Sequence, residues 1–357
     1  MMKKLIYLFA IAAMAACTSS NQPDSKPGSF AKGADISWLT EQEQDGVKFY
    51  NAQGQEKECI ALLRSIGMNS VRLRVWVNPE DGWCAKEDVV AKAKRAQKQG
   101  QRIMIDFHYS DFFADPGTQT TPTEWKGYSF DQLKVAVADH TREILTALKS
   151  AKIEPEWVQV GNETRNGMLW DTGKLWDNNG DIEGGWSRYA ALTTAGYDAV
   201  KEIFPNAIVI VHIDNAYQDN VWFFQKLRQN GGKFDMIGLS HYPMMEEWSG
   251  KKWQEMNQLA EQNVKTLAQK FSCKVMISEV GTLNTSTAKL ELAQKVMQDF
   301  VDKMQAIDSC AGIFYWEPQV YGGWKPKIYS QYGWGAYGMG SFTTDGKPSE
   351  ALKILFK

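Results

Sequence analysis

Short apolar runs recur eight times along the chain, at 33–39, 70–77, 102–110, 157–163, 207–215, 236–243, 274–281 and 312–318. Runs of this length, rich in Val, Ile and aromatic residues, are the mark of buried strands. Longer stretches with helical spacing lie between or after them, over 59–66, 88–99, 130–151, 189–203, 221–229, 253–271, 289–307 and 349–356. In 130–151, for example, Leu133, Val137, Ile144, Leu145 and Leu148 fall near one helical face. Gly67, Gly100 and Pro205 punctuate the ends of such stretches.

Strand alternating with helix argues for parallel strands joined by crossover helices, the α/β class. Eight such units in one chain favour a closed (β/α)8 TIM barrel over an open sheet. A doubly wound sheet would carry a Gly-rich phosphate turn after its first strand. The chain there reads Asp35-Ile36-Ser37-Trp38. No repeat or linker divides residues 33–357, which are expected to form one domain.

The N-terminus reads differently. Lys3 and Lys4 precede an apolar run from Leu5 to Ala16 that ends at Cys17. The run is too short to cross a bilayer and matches an export signal. Met14-Ala15-Ala16-Cys17 resembles a bacterial lipobox, which makes 1–17 a signal peptide and Cys17 the acylated first residue of the mature chain. Ordinary cleavage with an unmodified Cys17 is the alternative. Ser, Asn, Pro, Asp and Lys dominate the start of residues 18–32, a composition expected to give a disordered tether. The expectation is an exported lipoprotein of the outer membrane, on its surface or periplasmic face, held to the membrane by lipid on Cys17.

Composition adds three points. A formal net charge of −2 provides no basic field for nucleic acid. Fourteen Trp and thirteen Tyr are many, and their flat faces suit either a core or a surface on which sugars stack. Cys59, Cys84, Cys273 and Cys310 have no zinc-ligand spacing. A core of this size needs no covalent staples, so buried free thiols are expected.

In such barrels the reacting groups sit at the C-terminal ends of the strands. The fourth run ends Val160-Gly161-Asn162-Glu163 and the seventh Ile277-Ser278-Glu279. A lone Glu closing a strand is ordinarily a salt bridge or a helix cap. Two of them on one rim are what glycoside cleavage requires, one carboxyl protonating the leaving oxygen and the other attacking the anomeric carbon. Arg72 and Arg74 share a strand face, and an Arg there either holds the nucleophile ionised or forms a buried salt bridge. Asp106 and His108 also share a face and are candidates for sugar hydroxyls, with a structural role as the alternative for Asp106. His212 and Asp214 end the fifth run, and His212, like Arg74, is counted among the substrate-binding candidates. Tyr242 ends the sixth, within reach of a nucleophile, and Trp316 is placed to form a platform under the reacting sugar.

The stretches Val71-Arg72-Leu73-Arg74-Val75-Trp76-Val77-Asn78-Pro79, Asp106-Phe107-His108-Tyr109-Ser110-Asp111 with Ala114-Asp115-Pro116, and Val160-Gly161-Asn162-Glu163 together resemble glycoside hydrolase family 53, the endo-β-1,4-galactanases. The resemblance runs from about residue 33 to the C-terminus. It implies a retaining mechanism on β-1,4-galactan, with Glu163 as acid/base, Glu279 as nucleophile and Asn162 as a ligand of the 2-hydroxyl. The lipobox and tether are similar to those of gut Bacteroidetes glycan-degrading lipoproteins. The chain departs from the family after the seventh run, where Val280-Gly281-Thr282-Leu283 replaces a Thr and an aromatic residue. The following Asn284-Thr285-Ser286-Thr287 lacks the carboxylates of the calcium loop found in some members, so no calcium is expected there and no cofactor elsewhere. The aromatic loop Tyr321, Trp324, Tyr329, Tyr332, Trp334 and Tyr337 reads equally as a sugar-stacking groove or as a loop packed on itself; Trp324 is taken as substrate-binding. A monomer acting on a polysaccharide is expected. The alternatives are another retaining enzyme of related fold, such as a β-mannanase or cellulase, or a non-catalytic glycan-binding lipoprotein.

Overall fold

A computed structural model of the chain describes residues 25–284 and 286–357. The export signal, Cys17 and the first part of the tether lie outside the described residues. Eight parallel strands close into a barrel: β1 (Ala31–Asp35), β2 (Ser70–Val75), β3 (Arg102–Phe107), β4 (Trp157–Val160), β5 (Ile208–Ile213), β6 (Met236–His241), β7 (Val275–Val280) and β8 (Cys310–Trp316). Each pairs with its sequence neighbours, and β8 returns to β1 with Trp316 opposite Asp35. The helices that follow are α1 (Cys59–Ser65), α2 (Lys86–Lys98), α3 (Phe130–Ser150), α4 (Gly185–Ile203), α5 (Val221–Gln229), α6 (Trp253–Phe271), α7 (Thr287–Gln305) and α8 (Glu350–Phe356). The expected TIM barrel is therefore the fold, and α5 and α6 have the bounds expected from spacing.

Alternation along the strands sorts side chains into two cores. On β3, Ile103, Ile105 and Phe107 join the large apolar layer between barrel and helices, whereas Met104 turns inward. The barrel floor is Ala31, Met104, Trp157, Ile210, Met236, Met276, Ala311 and Phe314. Gly33 is required there, because a Cβ would fall 2.3 Å from a Phe314 ring carbon. Helix ends follow local chemistry: Ser129 and Gln132 form a capping box at the start of α3, and Ser286 and Ser349 cap α7 and α8.

Two boundaries differ from expectation. β1 starts at Ala31 and stops at Asp35, because the Asp35 carboxylate accepts from the Ser37 amide and hydroxyl and turns the chain. The described end of the expected tether is bound rather than free. The Gly28 amide donates to Glu156, Arg102 to the Ser29 carbonyl and Arg64 to the Ser25 hydroxyl, at 3.2, 2.9 and 2.6 Å.

Candidate active site

The polar layer above the barrel floor is built around Arg72. Burying a guanidinium is costly unless its charge is met. Its Nη1 contacts Asp35 at 2.8 Å and Glu279 at 3.0 Å; its Nη2 contacts Asp106 and Asn162, both at 2.8 Å. Three strands thus present a carboxylate to one cation on β2. Burial works against ionisation of Asp35, yet Arg72 and Arg74 outweigh it and hold its carboxyl below the usual range.

Glu279 reaches this layer through an irregularity. Along the β6–β7 pairing, Leu239 faces Ile277 and Ser240 faces Glu279, so Ser278 is an extra residue. Such a bulge re-aims the side chain after it. Glu279 then receives two hydrogen-bond donors, Arg72 and the Tyr242 hydroxyl at 2.7 Å. Burial raises its carboxyl and Arg72 and Tyr242 oppose that, leaving it at about 6.

Glu163 sits in the opposite environment. Gly161 and Glu163 adopt left-handed φ of 87° and 47°, which bends the end of β4 over the barrel mouth. Tyr109, Asn215 and Glu317 are also left-handed, each just beyond the end of another strand. For residues other than Gly this conformation stores strain, and such residues gather where a site must be shaped. Burial pushes the Glu163 carboxyl well above the ordinary range; the charges of Glu279, Asp214 and Asp115 add to the effect. One carboxyl is poised to be ionised and its neighbour to hold a proton.

Asn162 is locked between them. Its Nδ2 donates to the Ala114 carbonyl at 2.8 Å, so its Oδ1 accepts from Arg72, and Gln159 donates to the same oxygen at 3.1 Å. Asp106 is wholly buried and bonds Arg72, Gln159 and His108; burial raises it to about 7. It serves the framework and does not face the cavity. The His108 ring lines the cavity and is held neutral by burial and by Arg74 and Arg72. Its Nδ1 accepts from the Ala114 amide at 2.9 Å, so Nε2 carries the proton toward Asp106. His212 is wholly buried beneath the cavity and is likewise neutral.

Glu163 and Glu279 line one cavity of about 210 Å³ with His108, Asn162, Tyr242 and Trp316. A second cavity of about 300 Å³ shares Glu163 and Tyr242 and continues past Asp214, Asn215 and Tyr217. Together they extend to both sides of Glu163. A larger hollow of about 630 Å³ lies outside the barrel over α3, far from either strand-end carboxyl.

Besides Asp106 and His212, two more expected ligands do not line the cavity. Arg74 is wholly buried behind the cavity-lining Phe113; its guanidinium lies 4.6 Å from the Phe113 ring centroid and 5.0 Å from that of Trp76, and it pairs with buried Glu317 at 3.3 Å. Trp324 packs edge-on against Trp38 and donates to Asp45 at 3.0 Å. From the same loop, Tyr329 and Trp334 do line the cavity, and Trp334 is 42% exposed. The loop is thus both self-packed and open to a ligand. The expected thiols are free, with Cys59, Cys84 and Cys310 buried and Cys273 half-buried. Asp35, Ser240, Phe113 and Glu317 are parts of the site that strand-end motifs did not single out.

The sequence model of glycosyl hydrolase family 53 matches residues 31–355. The chain belongs to that family. It is a glycoside hydrolase whose relatives include the endo-β-1,4-galactanase of Bacillus subtilis (strain 168), 30% identical over 91% of this chain and 79% of that one. An arabinogalactan endo-β-1,4-galactanase of Thermothelomyces thermophilus is 36% identical over 59% of this chain and 64% of its own. Among solved structures, the family 53 catalytic domain of Ignisphaera aggregans superposes with a TM-score of 0.78 at 28% identity, covering 92% of this chain and 96% of that one. A fungal β-1,4-galactanase gives 0.76 at 26%, covering 91% and 98%.

Proposed function

We propose that the protein is a retaining endo-β-1,4-galactanase acting on the galactan side chains of pectic arabinogalactan. The observation that carries this reading is the pair Glu163 and Glu279 on one cavity in opposite electrostatic settings. Glu279 is the nucleophile: Arg72 and Tyr242 favour its charged form and aim it. Glu163 is the acid: it gives its proton to the glycosidic oxygen as Glu279 bonds to the anomeric carbon. The same carboxylate then takes a proton from water, whose oxygen displaces Glu279. Trp316 is the platform under the reacting sugar and Asn162 a hydroxyl ligand, while His108, with both ring nitrogens engaged by Ala114 and Asp106, meets the sugar only as a wall of the cavity. One of the two Asn162 Nδ2 hydrogens is engaged by the Ala114 carbonyl, and the other is the donor this reading assigns to the sugar hydroxyl. Endo cleavage is supported by cavities on both sides of Glu163. The galactan assignment rests on the names carried by the relatives.

The test is incubation with β-1,4-galactan, β-mannan and cellulose, followed by NMR of the nascent reducing ends. Oligosaccharides released from galactan alone, first as the β-anomer, are expected. Release from mannan or cellulose instead, or an α-anomer first, overturns the assignment. We also propose export and lipid attachment at Cys17, supported by the 1–17 pattern. Alkyne-palmitate labelling that persists in Cys17→Ser would sink that part.

A further inference from the structure

The hollow of about 630 Å³ over α3 takes no part in the double displacement. Its volume is that of an ordinary small-ligand site. One helical face of α3 forms a wall, from Gln132 through Val135, Ala136, Asp139 and His140 to Glu143. Short side chains leave the space open, and Val135 is 58% exposed. The loop after β3 gives His108, Phe113, Ala114 and Asp115 to the catalytic cavity, then Glu124, Trp125 and Tyr128 to the hollow. One loop thus borders both. His140 lines the hollow and is 8% exposed, with its ring edge-on to Trp125 and Phe107 at centroid distances of 6.0 and 5.7 Å. Burial pushes the imidazole down to about 4, so it is neutral. Neither ring nitrogen has a hydrogen-bond partner among the described residues; Nε2 is shut off from solvent, which leaves Nδ1 as the nitrogen that faces the hollow. A buried polar group without a partner is unfavourable, and a ligand in the hollow would complete this one.

The chemistry of the walls selects the ligand. Glu124, Asp131, Asp139 and Glu143 bring carboxylates, but Lys134 meets Asp131 at 2.8 Å, Arg142 meets Asp139 at 2.9 Å and Lys86 meets Glu143 at 2.6 Å. Little uncompensated charge is left for a cation or a basic peptide. No group of three or more His, Cys, Asp or Glu among the described residues is placed to hold a metal ion. What remains is a rim of hydrogen-bonding groups around an apolar patch of Val77, Val135, Trp125 and Tyr128, the last 38% exposed. The Gln132 carbonyl accepts from the Ser129 amide, and its amide hydrogens are left for a ligand. A pyranose has the matching character: its C–H face packs on an aromatic ring, and its hydroxyls both donate and accept. A hydroxyl also pairs with His140 Nδ1 in either tautomer. We propose that the hollow is a second, non-catalytic site that binds pyranose units of a neutral polysaccharide. Tyr128 is its stacking face, and the carboxylates, Gln132 and His140 are its hydroxyl partners. A chain held there raises the local concentration of further linkages at the catalytic mouth.

Which sugar binds there rests on the galactan reading; the existence of the site does not, and one titration separates them. The Glu279→Gln chain is titrated with β-1,4-linked galactotetraose, mannotetraose and cellotetraose and followed by 15N NMR. Galactotetraose is expected to shift Tyr128, Val135 and the His140 ring with a roughly millimolar Kd, independently of the shifts at Asn162 and Trp316. Val135→Arg fills the hollow from an exposed position and is expected to weaken binding at α3 about tenfold or more, with the Asn162 shifts retained. Tyr128→Ala, which removes only the stacking face, is expected to weaken it about 2–10-fold. No shift at α3 with any of the three sugars up to about 10 mM overturns the proposal, as do α3 shifts that both variants leave intact. Shifts at α3 from a Lys-rich peptide and from no sugar overturn the ligand class. Shifts at both places with mannotetraose or cellotetraose alone uphold the site and sink the galactan reading; galactotetraose shifts at Asn162 alone do the reverse.

Discussion

Tyr242→Phe isolates one bond on the nucleophile. The Tyr242 hydroxyl donates to Glu279 at 2.7 Å, and Glu279 stands at about 6 with that bond in place. A hydrogen bond to an ionised group contributes roughly 1.5–3 kcal/mol, which is about 1–2 pH units. The bond favours the charged form, so its loss raises the Glu279 carboxyl to about 7 or above, and kcat/KM needs that carboxyl ionised. With a limb at about 6 moving to about 7, the ionised fraction at pH 5.5 falls roughly eightfold, while at pH 8 it changes by only about a tenth. Initial rates of reducing-end release, measured across pH at low substrate, give the limb directly. The phenyl ring preserves shape, so an intact melting transition should accompany the shift. An acidic limb that stays in place or moves to lower pH would refute the assignment of Glu279 as the ionised partner.

Three other outcomes are expected. Glu163→Ala should lower kcat/KM on the polysaccharide by roughly 10²–10⁴, but far less on an aryl glycoside whose leaving group needs no proton; equal losses on both would speak against an acid role. Trp334→Ala should raise KM by about 2–10-fold through loss of a stacking face, while Trp324→Ala should leave KM within about twofold, and the reverse order of effects in the kinetics would contradict the placement of the two rings. Glu317 stands at about 8 in the fold against an ordinary 4.5. A raised carboxyl is protonated in both states at low pH, and stability then falls by roughly 1.4 kcal/mol per unit as pH climbs from the unfolded value to the folded one. Glu317→Gln escapes that loss, so its melting-temperature advantage over the parent should widen between pH 4.5 and 8; a shrinking gap is the contrary result.

The barrel was legible because its strands are short apolar runs and its helices carry strong spacing. Both strand-end glutamates were legible for the same reason: a carboxylate closing an apolar run stands out. The choice between Arg72 and Arg74 was not. Period two puts both on one face, and only the distant partners separate them, Asp35, Asp106 and Glu279 around the first and aromatic rings around the second. The bulge at Ser278 is a property of pairing between two strands and leaves no mark on either alone. Ser240 carries no signal, since a serine at a strand end is commonplace until its neighbours are known. Trp324 was chosen from a loop of similar aromatics, where composition cannot say which ring turns inward.

The division of labour between the two glutamates follows from a shortage of positive charge. Asp35, Asp106, Glu163, Glu279 and Glu317 crowd the barrel mouth, and Arg72 and Arg74 are the guanidiniums set among them. Full ionisation in so poorly solvated a region is prohibitive, so protons remain where the local field is least favourable to an anion. Asp35, served by both cations, gives its proton up first; Glu279, served by Arg72 and Tyr242, sits at about 6; Asp106, sharing Arg72, sits at about 7. Glu163 receives repulsion from Glu279, Asp214 and Asp115 and keeps its proton. The competition for Arg72 has a testable sign. The charge on Asp35, already ionised across that limb, raises Glu279, so Asp35→Asn, which keeps the shape and removes the rival, should move the acidic limb to lower pH. Tyr242→Phe moves the same limb to higher pH. Two buried substitutions that damaged the site only by loosening Arg72 would push it the same way, and opposite shifts are therefore what a contest between carboxylates for one cation demands.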